Sequence, residues 1–325
     1  MKKNKIIVLS VFILLIGAFF LFSCSENANM GSDDGKYQII CTIFPEYDFI
    51  NEIIGEKSDL FNVTILLDDG TDMHSYQPTV SQIAGITTCD LFCYIGGGSQ
   101  NWINNILKNV DRDKVSLLCL ADELKDELLC YDHEEGEEHH ADHDHGVLDE
   151  HVWLSLSLAK KSVSEICNAI CGIDPENKDY YLEQASNYIS RLDGLDKEFS
   201  AALVNSKHDS VVVADRFPFV YLFRDYNIGY YAAFEGCSSE SDAGVKTVLE
   251  LSDKVRTLEL DYIIVIENSN NSIANAVITE SKREVGIITL NSCQSITAKE
   301  IADGANYIDI MKNNLEGIKK ALGCN

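Results

Sequence analysis

"IDPENKDYYLEQASNYISRLDGLDKEFSAALVN", residues 173–205, decides the fold. Tyr181, Ala185, Tyr188, Leu192, Leu195 and Phe199 recur at spacings of three and four, the period of one buried helical face. Asp174 is placed to cap the helix and Pro175 to occupy its first position. The spacing predicts one helix of about thirty residues, long for a globular domain, with Gly194 as a locally weak point. On both sides of it strand-like and helix-like runs alternate. Before it come "YQIICTIF" (37–44), "NVTILL" (62–67) and "LFCYIG" (91–96), each followed by a loop or an amphipathic stretch. After it come "SVVVAD" (210–215), "IGYYAAF" (228–234), "DYIIVIE" (261–267) and "VGIITLN" (285–291), and a helix over 298–321 closes the chain. Buried strands alternating with helices predict parallel sheets of βα units. The expected fold is therefore α/β: two lobes, each a parallel sheet flanked by helices, joined by one long helix. Ligands in such sheets bind beyond the carboxyl ends of the strands, and two lobes facing each other make a cleft.

The chain has 325 residues, enough for two cored domains, and at 46% hydrophobic and 24% charged it reads as globular. A formal net charge of −26 argues against a nucleic-acid partner. At the N-terminus Lys2, Lys3 and Lys5 precede an uncharged apolar run, Ile6 to Phe22, and then "LFSC". A basic start, an apolar run and a small residue describe an export signal. The "LFSC" stretch resembles a bacterial lipobox, which implies cleavage after residue 23 and a lipid on Cys24. An uncleaved anchor is the alternative, since the run is nearly long enough to span. Either way the rest of the chain is expected outside the cytoplasm. The expected organisation is a lipoprotein signal peptide over 1–23, a tether over 24–36, an N-terminal lobe over 37–172, the linking helix over 173–206 and a C-terminal lobe over 207–325. Export permits disulfides, but the eleven cysteines are scattered. Several lie in strand-like runs and read as small buried hydrophobes.

Six of the eight histidines fall in "YDHEEGEEHHADHDHGVLDEHVW", residues 131–153. Imidazole and carboxylate are ligands for divalent metals, so His133, His139, His140, His143 and His145 read as a metal-gathering loop within 131–149. A solvated acidic cover is the plainer reading. His74, in "DDGTDMHSYQP", follows a strand, and His151, in "LDEHVWL", precedes a helix. Both positions suit a ligand at the carboxyl edge of one lobe, although a single such histidine is more often structural. "GGGSQ" (96–100) follows a strand but lacks the Gly-Lys-Ser/Thr ending of a phosphate loop and reads as a turn.

Taken together, "DDGTDMHSYQP", the His-rich loop, "DEHVW" and the single long helix resemble the metal-binding lipoproteins of zinc and manganese ABC transporters, solute-binding protein family 9 or cluster A-I. The resemblance covers 37–322. It implies a non-enzymatic, monomeric chain, lipid-anchored to the outer side of a bacterial membrane. Such a chain captures Zn2+ between its lobes for a permease and its ATPase, with Mn2+ as the alternative cargo. It assigns His74 and His151 as metal ligands from the first lobe. A ligand expected from the second lobe falls on Arg216, which stays protonated and cannot bind a cation. Asp215, Cys293 and Glu267 are the remaining donors there. The His-rich loop and the imidazoles favour zinc over manganese. Two other readings stay open: an exported zinc hydrolase with Glu150 or Glu267 as base, which lacks a His-Glu-x-x-His motif, and an adhesin-type surface lipoprotein.

Overall fold

The computed structural model describes residues 35–98, 101–131, 147–234 and 243–324. The signal segment over 1–23, Cys24, and His133, His139, His140, His143 and His145 lie outside the described residues.

Two four-stranded parallel sheets form the frame. In the first, β1 (Tyr37–Cys41) pairs with β2 (Phe61–Ile65) on one side and β3 (Leu91–Tyr94) on the other, and β4 (Ser116–Cys119) lies beyond β3. The order β2-β1-β3-β4 reverses direction between β1 and β3, which opens a crevice at the carboxyl ends of those strands. The helices of this half are α1 (Phe44–Ile54), α2 (Val80–Ile86), α3 (Asn101–Leu107), α4 (Leu120–Glu123) and α5 (Leu156–Ile173). β1 and β3 are apolar because both sheet faces are covered: Ile39, Cys41, Leu91, Phe92 and Cys93 have no solvent exposure. The two ends of the His-rich loop pair as a short antiparallel ladder, β5 (Cys130–Tyr131) with β6 (Val147–Leu148), which no local sequence pattern announced.

Next in the chain is α6, Lys178–Leu203, whose 26 residues bury all six of the periodic side chains from Tyr181 to Phe199. It packs on α1 and α5 of the first half, and its Tyr188 donates to Asp48 Oδ2 at 2.8 Å. Its start differs from expectation. Pro175–Asn177 form a 3-10 turn ahead of the α-helix. Asp174 caps nothing there; its Oδ2 accepts from Asn177 Nδ2 at 2.8 Å and from the Tyr181 hydroxyl at 2.6 Å. That carboxylate is held by side chains, so it is unavailable to the helix terminus.

The second half repeats the plan. β7 (Ser210–Val213) is flanked by β8 (Gly229–Ala232) and β9 (Tyr262–Ile266), with β10 (Gly286–Leu290) outermost, in the order β10-β9-β7-β8. Its helices are α7 (Val220–Asp225), α8 (Val245–Thr257), α9 (Ser272–Ser281), α10 (Ala298–Ala302) and α11 (Tyr307–Leu322). The expected single helix over 298–321 is thus two. Gly304, at φ +95, breaks it, and Asn306 caps the second piece by accepting from Asp309 N at 2.9 Å. α11 also lies against α6, so the long helix touches both halves. The architecture of two parallel sheets with a long helix joining them is as the sequence predicts. Cys41, Cys89, Cys93, Cys119, Cys167, Cys171, Cys293 and Cys324 are free thiols, most of them buried in the core.

Candidate metal centre

His74 and His151 stand on two loops at the carboxyl edge of the first sheet, with ring centroids 5.5 Å apart. Both are preceded by aspartate at the same spacing, Asp-x-His, and both use it alike. His74 N–H donates to Asp72 Oδ1 at 2.9 Å, and His151 N–H donates to Asp149 Oδ1 at 2.9 Å. Each is an Asx turn, which fixes the backbone of the histidine and so the direction of its ring. Burial anchors the loops on either side: Met73, Tyr76, Val152, Trp153 and Leu154 are in the core.

The second half of the protein braces this edge. Tyr221 donates its hydroxyl to Asp149 O at 2.7 Å, Trp153 Nε1 donates to Ser292 O at 2.8 Å, and Tyr307 donates to Trp153 O at 2.5 Å.

Adjacent carboxylates hold the two rings. His151 Nδ1 lies 3.0 Å from Asp149 Oδ1, and His74 Nδ1 lies 3.4 Å from Glu150 Oε1. A ring nitrogen that faces a carboxylate carries the proton, which puts the lone pair on Nε2, the atom that ligates metals. His74 Nε2 is buried and makes no hydrogen bond. The glycine turn after β3 serves this arrangement. Gly97 sits at φ +85, and a Cβ there would collide with the Glu150 carboxylate. So "GGGSQ" is a turn, and at Gly97 it makes room for a charged side chain beside His74.

Burial pushes the His74 imidazole down to about 4, helped by the neighbouring His151 and opposed by Asp72. A histidine with a depressed value contributes stability that is present above the unfolded value of 6.5 and is lost as pH falls through about 4. His74 is therefore expected to contribute a loss of stability across that window, opposed by Asp48 and Glu46, whose carboxyls burial raises to about 6 and about 8, and His74→Gln to remove that contribution. Urea titrations across that pH range measure it; equal slopes in the two proteins would place the sensitive group elsewhere.

The structure brings His74 and His151 together, and it gives the other three expected ligands the following surroundings. Glu267, at the end of β9, accepts from Ser292 N at 2.8 Å and from the Ser292 hydroxyl. Burial holds its carboxyl above the usual range. Cys293 has no solvent exposure, sits at φ +64, and has its thiol pushed well up by burial. Asp215 Oδ1 accepts from Arg216 N at 2.9 Å. Among the described residues no three His, Cys, Asp or Glu side chains are grouped at metal-binding spacing. What meets the first half instead is Arg216, whose Nη1 lies 2.5 Å from Asp72 Oδ2, and Gln294, whose Nε2 lies 3.4 Å from the same oxygen. Asp72, Asp149 and Gln294 went unnoticed in the sequence. The repeated Asp-x-His was the signal for the two aspartates; Gln294 had none.

The family described as "Zinc-uptake complex component A periplasmic" matches residues 39–321. The chain is 31% identical over 328 residues to the zinc-binding lipoprotein AdcA of Streptococcus pneumoniae serotype 4, covering 98% of this chain and 61% of that protein. It thus spans about three fifths of the length of that relative. It is 28% identical over 323 residues to the high-affinity zinc uptake system protein ZnuA of Bacillus subtilis, covering 95% and 97% of the two chains. The crystal structure of the Zn(II)-bound ZnuA-like domain of Streptococcus pneumoniae AdcA superposes with a TM-score of 0.71 at 28% identity, covering 89% of this chain and 99% of that one.

Proposed function

Because the chain belongs to the family of zinc-uptake complex component A, we propose that it captures Zn2+ outside the cytoplasm and delivers it to a membrane permease driven by an ATPase. It performs no chemical step in this reading, and a lipid on Cys24 anchors it to the membrane. The observation that carries the proposal is the pair of buried imidazoles, His74 and His151, whose Nδ1 atoms face Glu150 and Asp149. Each carboxylate fixes the tautomer that ligates. Negative charge around two nitrogen donors suits a divalent cation, and imidazole suits zinc better than manganese. The relatives' names, a zinc-binding lipoprotein and a zinc uptake protein, point the same way. The His-rich loop leaves from β5 and returns at β6, three residues before His151, so metal gathered on it is released beside the pair.

Native mass spectrometry tests this. The full chain is compared with one in which 132–146 are replaced by Asn-Gly, a two-residue turn that keeps β5 and β6 paired. Both are exposed to equal Zn2+ and Mn2+. Both forms are expected to hold one zinc tightly, and only the full chain to hold more, weakly. Retention of manganese over zinc would overturn the choice of metal. Loss of all metal with the loop would put the site in the loop.

A further inference from the structure

Zinc bound by protein is almost always four-coordinate, and His74 and His151 supply two donors. From the second half the pair meets hydrogen-bond donors, Arg216 and Gln294, converging on Asp72 Oδ2 at 2.5 and 3.4 Å. Asp72 in turn holds the backbone of His74 through its other oxygen at 2.9 Å. A guanidinium repels a bare cation but pairs in fork geometry with a carboxylate. Asp72 demonstrates that this guanidinium takes a carboxylate; a ligand carboxylate that replaced it would leave Asp72 Oδ2 with Gln294 Nε2 and Oδ1 with His74 N. Gln294 is 1% exposed, and its Oε1 is buried without a hydrogen-bond partner. A buried acceptor in that state calls for a donor. So this wall presents a cation for an anion and an acceptor for an O–H or N–H, a combination that a metal ion alone does not satisfy.

We propose that this chain takes zinc together with a small α-hydroxy- or α-amino-carboxylate, held between His74 and His151 on one side and Arg216 and Gln294 on the other. One carboxylate oxygen and the α-substituent chelate the zinc. The second carboxylate oxygen accepts from Arg216, and the α-O–H or α-N–H donates to Gln294 Oε1. The inference rests on the zinc-capture reading, whose cargo it specifies as a zinc chelate.

The test is equilibrium dialysis of the full chain with radiolabelled citrate or histidine, with and without zinc; tricarballylate, which is citrate without its hydroxyl, is the control. Expected is stoichiometric, zinc-dependent retention of citrate or histidine, and weak retention of tricarballylate. The citrate and histidine arms tell hydroxy from amino acids. Arg216→Ala is expected to keep zinc and to bind the carboxylate about tenfold or more weakly. Gln294→Glu supplies a carboxylate from the protein and is expected to hold zinc without the free acid. This variant decides the matter if Arg216→Ala fails to fold. Retention of neither acid by the zinc-loaded, unaltered chain overturns the proposal and leaves zinc capture standing. Retention of the acid without zinc, or undiminished retention by both variants, also overturns it. Failure to bind zinc under any condition overturns the zinc reading itself.

Discussion

His74→Ala and His151→Ala are each expected to abolish tight zinc binding. Loss of a partner that only orients a metal-binding histidine weakens metal affinity about 10–100-fold, and loss of the histidine itself removes a donor, so the expected weakening exceeds ~100-fold. The two supporting carboxylates should rank in the order of their geometry. Asp149 holds His151 through the ring at 3.0 Å and the backbone N–H at 2.9 Å, in a side-chain pair that is 2% exposed on each side. Glu150 reaches His74 at 3.4 Å, where the ring is 18% exposed. Asp149→Asn is therefore expected to weaken zinc binding more than Glu150→Gln, both within the 10–100-fold range. Competition against a chromophoric zinc chelator reads all four variants. Unchanged affinity in both alanine variants would remove the site from this pair of loops, and a reversed order for the carboxylates would mean that His74 is the better-held ligand.

The frame of this protein was legible in its sequence because periodicity reports burial directly. The buried face of α6 follows from six side chains at helical spacing, and the strands of both sheets follow from short apolar runs between helices. Features decided by contacts between distant residues were not legible. The Asp174 carboxylate reads as a cap, but Tyr181 and Asn177 take it. The segment over 298–321 reads as one helix, yet the left-handed backbone of Gly304 breaks it. Gly97 reads as a turn, and only the neighbouring Glu150 explains why a side chain is excluded there. Of the site, His74 and His151 were identified as a pair from their loops and from family resemblance. The same resemblance marked Arg216 as a departure, and its salt bridge to Asp72 now gives that departure a structural content. Gln294 lies in a loop without periodicity, and its burial against Asp72 depends on both halves of the chain.

Trp153→Ala is expected to be the most destabilising single substitution near the site. The indole is 1% exposed, lies 5.1 Å from the His151 ring, and donates to Ser292 O at 2.8 Å, while its own carbonyl accepts from Tyr307. Ser292 is the residue that satisfies Glu267. The indole therefore joins the His151 loop to the end of β10, and the backbone of the same residue joins it to the start of α11. Truncating a buried Trp to Ala destabilises by about 3–5 kcal/mol, a third or more of the roughly 5–15 kcal/mol total of an ordinary domain. Trp153→Phe separates the two contributions. It keeps most of the apolar volume and leaves the Ser292 carbonyl without its donor, a loss of about 1–3 kcal/mol. Urea midpoints measure both. If Phe destabilises as much as Ala, the hydrogen bond across the two halves dominates and packing is secondary. The zinc affinity of the Phe variant carries the argument to the site. Wild-type affinity in a chain destabilised by the smaller amount means that Asp149 alone orients His151. A matching loss of affinity means that the second half of the protein holds the first half's ligand in place through Trp153, so that any movement between the halves changes the strength of metal binding.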